Sequence, residues 1–291
     1  MQNTFVVSPM SQNITLDPGG VYHGSITVAN PAAATKDFSY KVSVSPYSVS
    51  GTDYKPDFQT QSDWSRIVDW FKFESTSGTL KPNETKRVNF TITVPSDAPA
   101  GGQYAMIGVS SDNKLESSDS ARVQNVFEMA SLVFANVSGD VVRSGEILKN
   151  YVPGFVATGE PTLEVSFSNT GNIHEVATTK LTVKNVFTGE TLLPKDDNEA
   201  TYETTVMPDS TRTFFRAIDE VAALGVYEVK QDINYLGEDS STSTIMIVCP
   251  IWFVALIIFT ISSIVAMVVY SRVLRKKKFL KKESADSKEN S

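Results

Sequence analysis

The sequence predicts an all-β ectodomain: two tandem immunoglobulin-like β-sandwiches, followed by a single transmembrane α-helix. Three observations carry that expectation. Short runs alternate apolar and polar residues with period two. Turn-forming residues separate these runs along the chain. Near the C-terminus, residues 245–270 form a 26-residue stretch without a charge, and a basic cluster follows it.

The strands come first. Phe38-Ser-Tyr40-Lys-Val42-Ser-Val44, Val88-Asn-Phe90-Thr-Ile92-Thr-Val94 and Leu163-Glu-Val165-Ser-Phe167 alternate without error, and Tyr227, Val229, Ile233 and Tyr235 share one parity. Such alternation puts one face in a core and the other in water, the pattern of antiparallel sheets. Pro18-Gly-Gly20, Asn30-Pro31, Lys81-Pro-Asn83 and Ala98-Pro99-Ala-Gly-Gly102 supply the turns. No long amphipathic helix precedes the apolar stretch. Many short strands with regular turns indicate sandwiches.

The chain also repeats itself. Ile26-Thr-Val-Ala-Asn30 parallels Val165-Ser-Phe-Ser-Asn169, each leading through a turn to a further strand. Pro82-Asn-Glu-Thr85 parallels Pro208-Asp-Ser-Thr211, and Gly102-Gln-Tyr104 parallels Gly225-Val-Tyr227. The offsets of 139, 126 and 123 residues shrink because the first copy has a longer connection. Two sandwiches of similar topology follow, over residues 1–139 and 140–237. Residues 238–244, Glu238-Asp-Ser-Ser-Thr-Ser-Thr244, read as a polar linker, 245–270 as the membrane span and 271–291 as a basic tail.

A helix needs about 20 apolar residues to cross a bilayer, so 245–270 suffices with some tilt. Trp252 and Tyr270 lie near its ends, where amphipathic rings favour the headgroup region. Arg272, Arg275, Lys276, Lys277, Lys278, Lys281 and Lys282 follow it, whereas residues 225–244 hold one basic residue, Lys230, and four acids. The positive-inside rule therefore expects a cytoplasmic tail and residues 1–244 outside. The rival topology is a tail-anchored protein facing the cytoplasm, with the basic cluster on the wrong side. Met1-Gln-Asn-Thr-Phe-Val-Val has no apolar signal core, so an outside location implies a removed signal or an upstream start. Of 26 basic and 33 acidic residues, the tail holds eight and three, which leaves a net charge of −12 before it. So acidic an outer part argues against nucleic acid as a partner.

Cys249 is the one cysteine, so no intrachain disulfide forms and the sandwiches stand on their cores. Sequons at Asn13, Asn83, Asn89 and Asn136 are too generic to decide anything. No nucleophile elbow, phosphate loop or zinc-protease motif occurs, so neither catalytic residues nor a cofactor or metal is expected. His23 has solvent-facing parity, and His174 sits in the turn after Asn169; both read as surface or turn residues. Asp196-Asp197-Asn198-Glu199 lacks the spacing and glycine of a calcium loop and reads as an exposed acidic turn.

The strongest candidate for partner contact is the segment 46–70. It carries Tyr47, Tyr54, Phe58, Trp64 and Trp70 among small polar residues. Connections this long in a sandwich are uncommon and often functional, and aromatics on them suit sugar stacking or a protein hot spot. Trp70 reads as core, at the start of the next strand. Tyr54, Phe58 and Trp64 are the candidate partner-binding residues, with coverage of the core's end as the competing role.

The order of features resembles the WxL-interacting proteins of Gram-positive cell surfaces. The likeness rests on Phe5-Val-Val-Ser-Pro9, Leu16-Asp-Pro-Gly-Gly20, Val28-Ala-Asn30, Leu80-Lys-Pro-Asn-Glu-Thr85, Val94-Pro95, Gly101-Gly102 and Phe167-Ser-Asn169-Thr-Gly-Asn172. The sequence departs from that pattern where Gln103-Tyr104 follows the Gly-Gly pair. The resemblance implies a peptidoglycan-binding first sandwich, a second that contacts host proteins, one membrane helix and a basic tail. It carries over no binding residue. The resulting expectation is a non-enzymatic, membrane-anchored surface protein that contacts cell-wall polymer or a partner surface protein. A chaperone-like assembly factor that offers a sheet edge to client strands is the alternative. A surface hydrolase with carboxylates assembled from distant positions is a third.

Overall fold

A computed structural model of the chain describes residues 5–111, 128–157, 160–195 and 201–289. The first sandwich contains β1 (Val6–Ser8), β2 (Ser11–Leu16), β3 (Val21–Ala29), β4 (Phe38–Pro46), β5 (Ser48–Ser50) and β6 (Lys55–Asp57). A short 3-10 helix, Asp63–Trp70, precedes β7 (Phe71–Phe73), β8 (Ser77–Leu80), β9 (Thr85–Thr93), β10 (Gly101–Ser111) and β11 (Glu128–Val137). One sheet has the order β1-β3-β9-β7 and the other β2-β11-β10-β4-β8, with β5 and β6 paired as a separate hairpin. Between the sheets lie the apolar parities read from sequence: Phe38, Tyr40 and Val42 from β4, Val88, Phe90 and Ile92 from β9.

The second sandwich repeats the plan. It contains β12 (Gly145–Tyr151), β13 (Phe155–Val156), β14 (Thr162–Asn169), β15 (Glu175–Asn185), β16 (Thr191–Leu193), β17 (Thr201–Val206), β18 (Ser210–Ala217), β19 (Gly225–Tyr235) and β20 (Glu238–Val248). Its sheets run β12-β14-β18 and β13-β20-β19-β15-β16, with β17 also on β15. In each sandwich the opening chain switches sheets. β1 pairs antiparallel with β3 and then β2 parallel with β11; β12 pairs antiparallel with β14 and then β13 parallel with β20. This two-sheet arrangement is the immunoglobulin-like fold.

The repeated motifs have repeated jobs. Asn30 and Asn169 are both buried at a strand end. The Asn30 amide donates to the carbonyls of Lys36 and Leu80, and the Asn169 amide to those of Ile173 and Val206. Leu80 and Val206 occupy equivalent places, each two residues before the proline of a Pro-Asn or Pro-Asp turn. In those turns Asn83 and Asp209 both take left-handed backbone angles, φ 65° and 49°, which these residue types tolerate.

One expected boundary changes. Residues 238–244 are not a linker, and the helix does not begin at 245. Residues 238–248 are β20, paired with β19 from Tyr235↔Glu238 to Gly225↔Val248. Leu236 (φ 53°) and Gly237 (φ 82°) form the two-residue left-handed turn that right-twisted hairpins prefer. Ser240, Thr242, Thr244, Met246 and Val248 face inward. Hydroxyl residues on both parities of its first half hide the alternation from a hydropathy reading. Pro250 ends the strand, and α1 (Ile251–Glu289) follows. Within Ile251–Arg275 an unburied 18-residue window has a mean hydropathy of 2.6, so this portion is long and apolar enough to cross a bilayer. The acidic turn at 196–199 lies outside the described residues, as do the side chains of Lys276, Lys277, Lys278, Lys281 and Lys282.

Replacing Asn169 by Ala leaves two buried carbonyls unmatched, with an expected cost of about 2–4 kcal/mol by denaturant titration. Asn30→Ala should cost a similar amount. Asp at either position, which keeps the shape and loses the donor, should not rescue. Retention of wild-type stability by both alanine variants would remove the equivalence of the two motifs.

Candidate functional site

The two sandwiches meet through the repeated Gly-x-Tyr motif. In the second sandwich the Tyr227 hydroxyl folds back over Gly225 and accepts the Ala222 N–H at 2.8 Å, within its own domain. In the first, Tyr104 folds back over Gly102 in the same way, but its hydroxyl accepts the His174 N–H of the second sandwich at 2.9 Å. A Cβ at either glycine would overlap the tyrosine hydroxyl, so glycine is required at both. Asn172 completes the joint. Its carbonyl accepts the Gly102 N–H at 2.7 Å, its amide reaches the carbonyls of Ala100 and Asp140, and its side-chain oxygen accepts the Val142 N–H.

A second contact comes from the 46–70 segment, which is built as the β5–β6 hairpin and the 3-10 helix. At the hairpin turn Tyr54 (φ 56°) projects onto the second sandwich. Its hydroxyl accepts the Met207 N–H at 2.9 Å and shares a hydrogen bond with Ser210. The Arg212 guanidinium lies 4.6 Å from its ring centre, and Thr213 N–H donates to the Thr52 carbonyl. Tyr54, read from sequence as either a partner contact or a cover for the core's end, fastens the first sandwich to the second.

Trp64 has a different fate. The Ser62 hydroxyl caps the 3-10 helix by accepting the Trp64 N–H. Buried Ile67 anchors it, and buried Gln103 clamps it by accepting the Ile67 N–H and donating to the Asp63 carbonyl at 2.8 Å. This places the half-buried Trp64 ring on the wall of an open cleft of about 200 Å³. Tyr47, Ser48, Val49, Ser62 and Tyr104 share that wall, and Met207, Pro208, Asp209 and Ser210 form the opposite one. Phe58 stays outside the lining but stacks on Tyr47, ring centres 5.8 Å apart. Trp70 closes the 3-10 helix and packs against the core, while the following strand opens at Phe71.

His23 is exposed, beside Thr91. His174 is not a free turn residue: it is half-buried between Tyr104 and Phe134, ring centres 5.6 and 5.3 Å away. Burial lowers its pKa, and Arg143 lowers it further. The neighbouring Glu175 has its pKa raised by burial, partly offset by Arg143 at 3.4 Å. Burial also raises the pKa of Tyr104 and, more modestly, that of Tyr54. With its oxygen already accepting the His174 N–H, the Tyr104 hydroxyl can give its own proton to Nδ1, 3.1 Å away, provided the imidazole is neutral. Among the described residues, no group of three or more His, Cys, Asp or Glu is placed to hold a metal ion.

No family model matches the chain, and no curated protein does. Solved structures give distant likenesses. A chain of a CFA/I fimbrial chaperone–tip adhesin complex is 10% identical, covering 83% of this chain and 98% of its own, with a TM-score of 0.41. The class 5 fimbriae chaperone CfaA is 11% identical, covering 84% and 99%, also at 0.41. The E. coli chaperone DraB is 12% identical, covering 83% and 96%, at 0.38. Scores this low leave function to be argued from the chain's own geometry.

Sequence reasoning missed Tyr104, Asn172 and His174 as joint residues. The signal was present in the Gly102–Tyr104 and Gly225–Tyr227 pairing, since a tyrosine two residues after a strand glycine can bring its hydroxyl back to a nearby backbone.

Tyr104→Phe should uncouple the sandwiches at a cost of about 1–3 kcal/mol, read as a lower melting midpoint and broader interdomain distances by double electron–electron resonance. Tyr227→Phe should affect stability without broadening those distances. The joint should also respond to pH. The folded pKa of His174 lies below its ordinary value of 6.5, so its contribution is complete above 6.5 and is lost as pH falls through the folded value. Glu175 works in the opposite sense: its contribution is complete below 4.5 and is lost as pH rises through its raised folded value. His174→Gln should remove the loosening on acidification from neutral pH; an unchanged profile would assign it elsewhere.

Proposed function

We propose that this chain is a non-enzymatic, single-pass surface protein that binds cell-wall polymer or a partner surface protein in the cleft between its sandwiches. The observation that carries the reading is the placement of Trp64 and Tyr47 on the wall of a cleft whose two sides are fastened together. Pre-set aromatic walls lower the ordering cost of binding, and aromatic rings at rigid positions suit either saccharide faces or protein hot spots. The joint lies at the Tyr235 end of β19, and the helix follows the opposite end of β20. Each strand has 11 residues, so the cleft stands roughly 35 Å from the start of α1.

In this reading α1 anchors the protein, with the sandwiches outside and the basic tail in the cytoplasm, as the positive-inside rule directs. The order of parts matches that of the WxL-interacting proteins that the sequence resembles, and membership of that family is part of the proposal. A sheet-edge chaperone is less well served. Among the described residues, the edge strands of the first sandwich are β1 and β7 with three residues each, β8 with four and β2 with six, Ser11-Gln-Asn-Ile-Thr-Leu16, whose outward positions are polar, so a client strand meets short edges and no long apolar one. A two-carboxylate hydrolase is poorly served too, since Asp209 is the one carboxylate among the lining residues.

The test is co-sedimentation of the detergent-solubilised full chain with purified cell wall, and capture of surface proteins in parallel. Trp64→Ala should weaken binding by about 2 kcal/mol or more, roughly thirtyfold, with the melting midpoint little changed. Phe58→Ala should have a smaller effect, through Tyr47. Binding to neither wall nor surface protein by the unaltered chain would overturn the reading. A soluble fragment used for the same purpose must retain β20, because ending it at 240 strips the partner from β19.

A further inference from the structure

The end of the second sandwich that leads into α1 is unusually apolar. Phe187 is 80% exposed, Phe155 56%, Leu224 49% and Ile247 42%. They come from four separate segments, yet pairing brings them to one end. Phe155 pairs with Ile247, Val226 pairs with Ile247, and Asn185 pairs with Tyr227. Leu224 precedes Gly225, the residue opposite Val248. Phe187 is held out deliberately: the Asn185 side chain accepts the N–H groups of Phe187 and Thr188, and the Gly189 N–H returns to the Asn185 carbonyl. A built turn that presents phenylalanine at its tip is costly in water unless something covers it.

We propose that this end of the sandwich is seated in the headgroup layer of the bilayer that α1 crosses. The inference rests on the reading of α1 as a membrane span. Continuity with the helix identifies the occupant. Only Cys249 and Pro250 separate Val248 from Ile251, and the Cys249 N–H is still bonded to the Val156 carbonyl. Two residues reach at most about 7 Å, comparable with the interfacial layer on one side of a bilayer. The apolar tips therefore cannot stand clear of the membrane once α1 is inserted. Trp252, 65% exposed on the first turn of α1, belongs to the same level, where its ring favours the interface. Apolar side chains set in this layer hold a domain at a fixed height and tilt.

The experiment uses the full chain in phosphatidylcholine nanodiscs. An environment-sensitive fluorophore is attached at Phe187→Cys in a Cys249→Ser background. The same label at Val265→Cys reports on the span, and at Ser25→Cys on the distal sandwich. Headgroup-level spin-labelled lipid serves as quencher for the loop position, and mid-chain spin-labelled lipid for the span. The proposal expects a blue shift and loss of most emission at 187, quenching at 265, and neither change at 25. Quenching at 265 with a water-exposed, unquenched label at 187 would overturn the inference and leave the membrane span standing. A blue-shifted label at 187 that lipid does not quench would mean that protein, such as a second copy, covers the surface, and would also overturn it. No quenching at 265 would remove the span and the inference together.

Discussion

The Tyr104 hydroxyl takes its hydrogen bond from the second sandwich, and the relation between the two halves depends on that choice of partner. The same side chain in the second copy, Tyr227, closes on its own domain and does nothing between domains. A duplicated local device has thus been turned outward once. Its bond to His174, reinforced by Asn172 and by Tyr54 at the hairpin tip, fixes the distance between Trp64 on one wall and Pro208 on the other. Without that joint the cleft would have two walls and no defined width.

The fold was readable where the chain obeys a period. β4, β9, β14 and β19 alternate cleanly, and their apolar parities form the cores. β20 was not, because Asp, Ser and Thr occupy both faces through its first half and the periodic signal vanishes. The following Ile245, Met246, Ile247 and Val248 then merge with the helix into one apolar run. Alternation within them shows only when β19 is alongside. The site was partly readable for a similar reason. The aromatic content of 46–70 marked the segment, but which ring would face a cleft and which would fasten a domain depends on where a second domain sits. Period and composition contain no such term.

The departure from the resembled family acquires a structural meaning. Gln103 and Tyr104 are the residues at which the sequence leaves the resembled pattern. Gln103 clamps the 3-10 helix that carries Trp64, and Tyr104 binds the second sandwich. Adjacent residues on one strand point to opposite sides, so this pair serves two structures at once. Residues without side chains at these two positions could hold neither.

The absence of a loose tether between β20 and α1 has a mechanical consequence. The joint with the first sandwich and the exit to the helix lie at opposite ends of the second sandwich. A pull on a ligand held in the cleft would load β20 along its own axis, against the full ladder to β19. All the rungs of that ladder would then share the force together, as in shear, instead of opening one after another as in a peeled hairpin. The second sandwich would behave as a stiff strut, passing tension from the cleft to α1 with little stretch of its own.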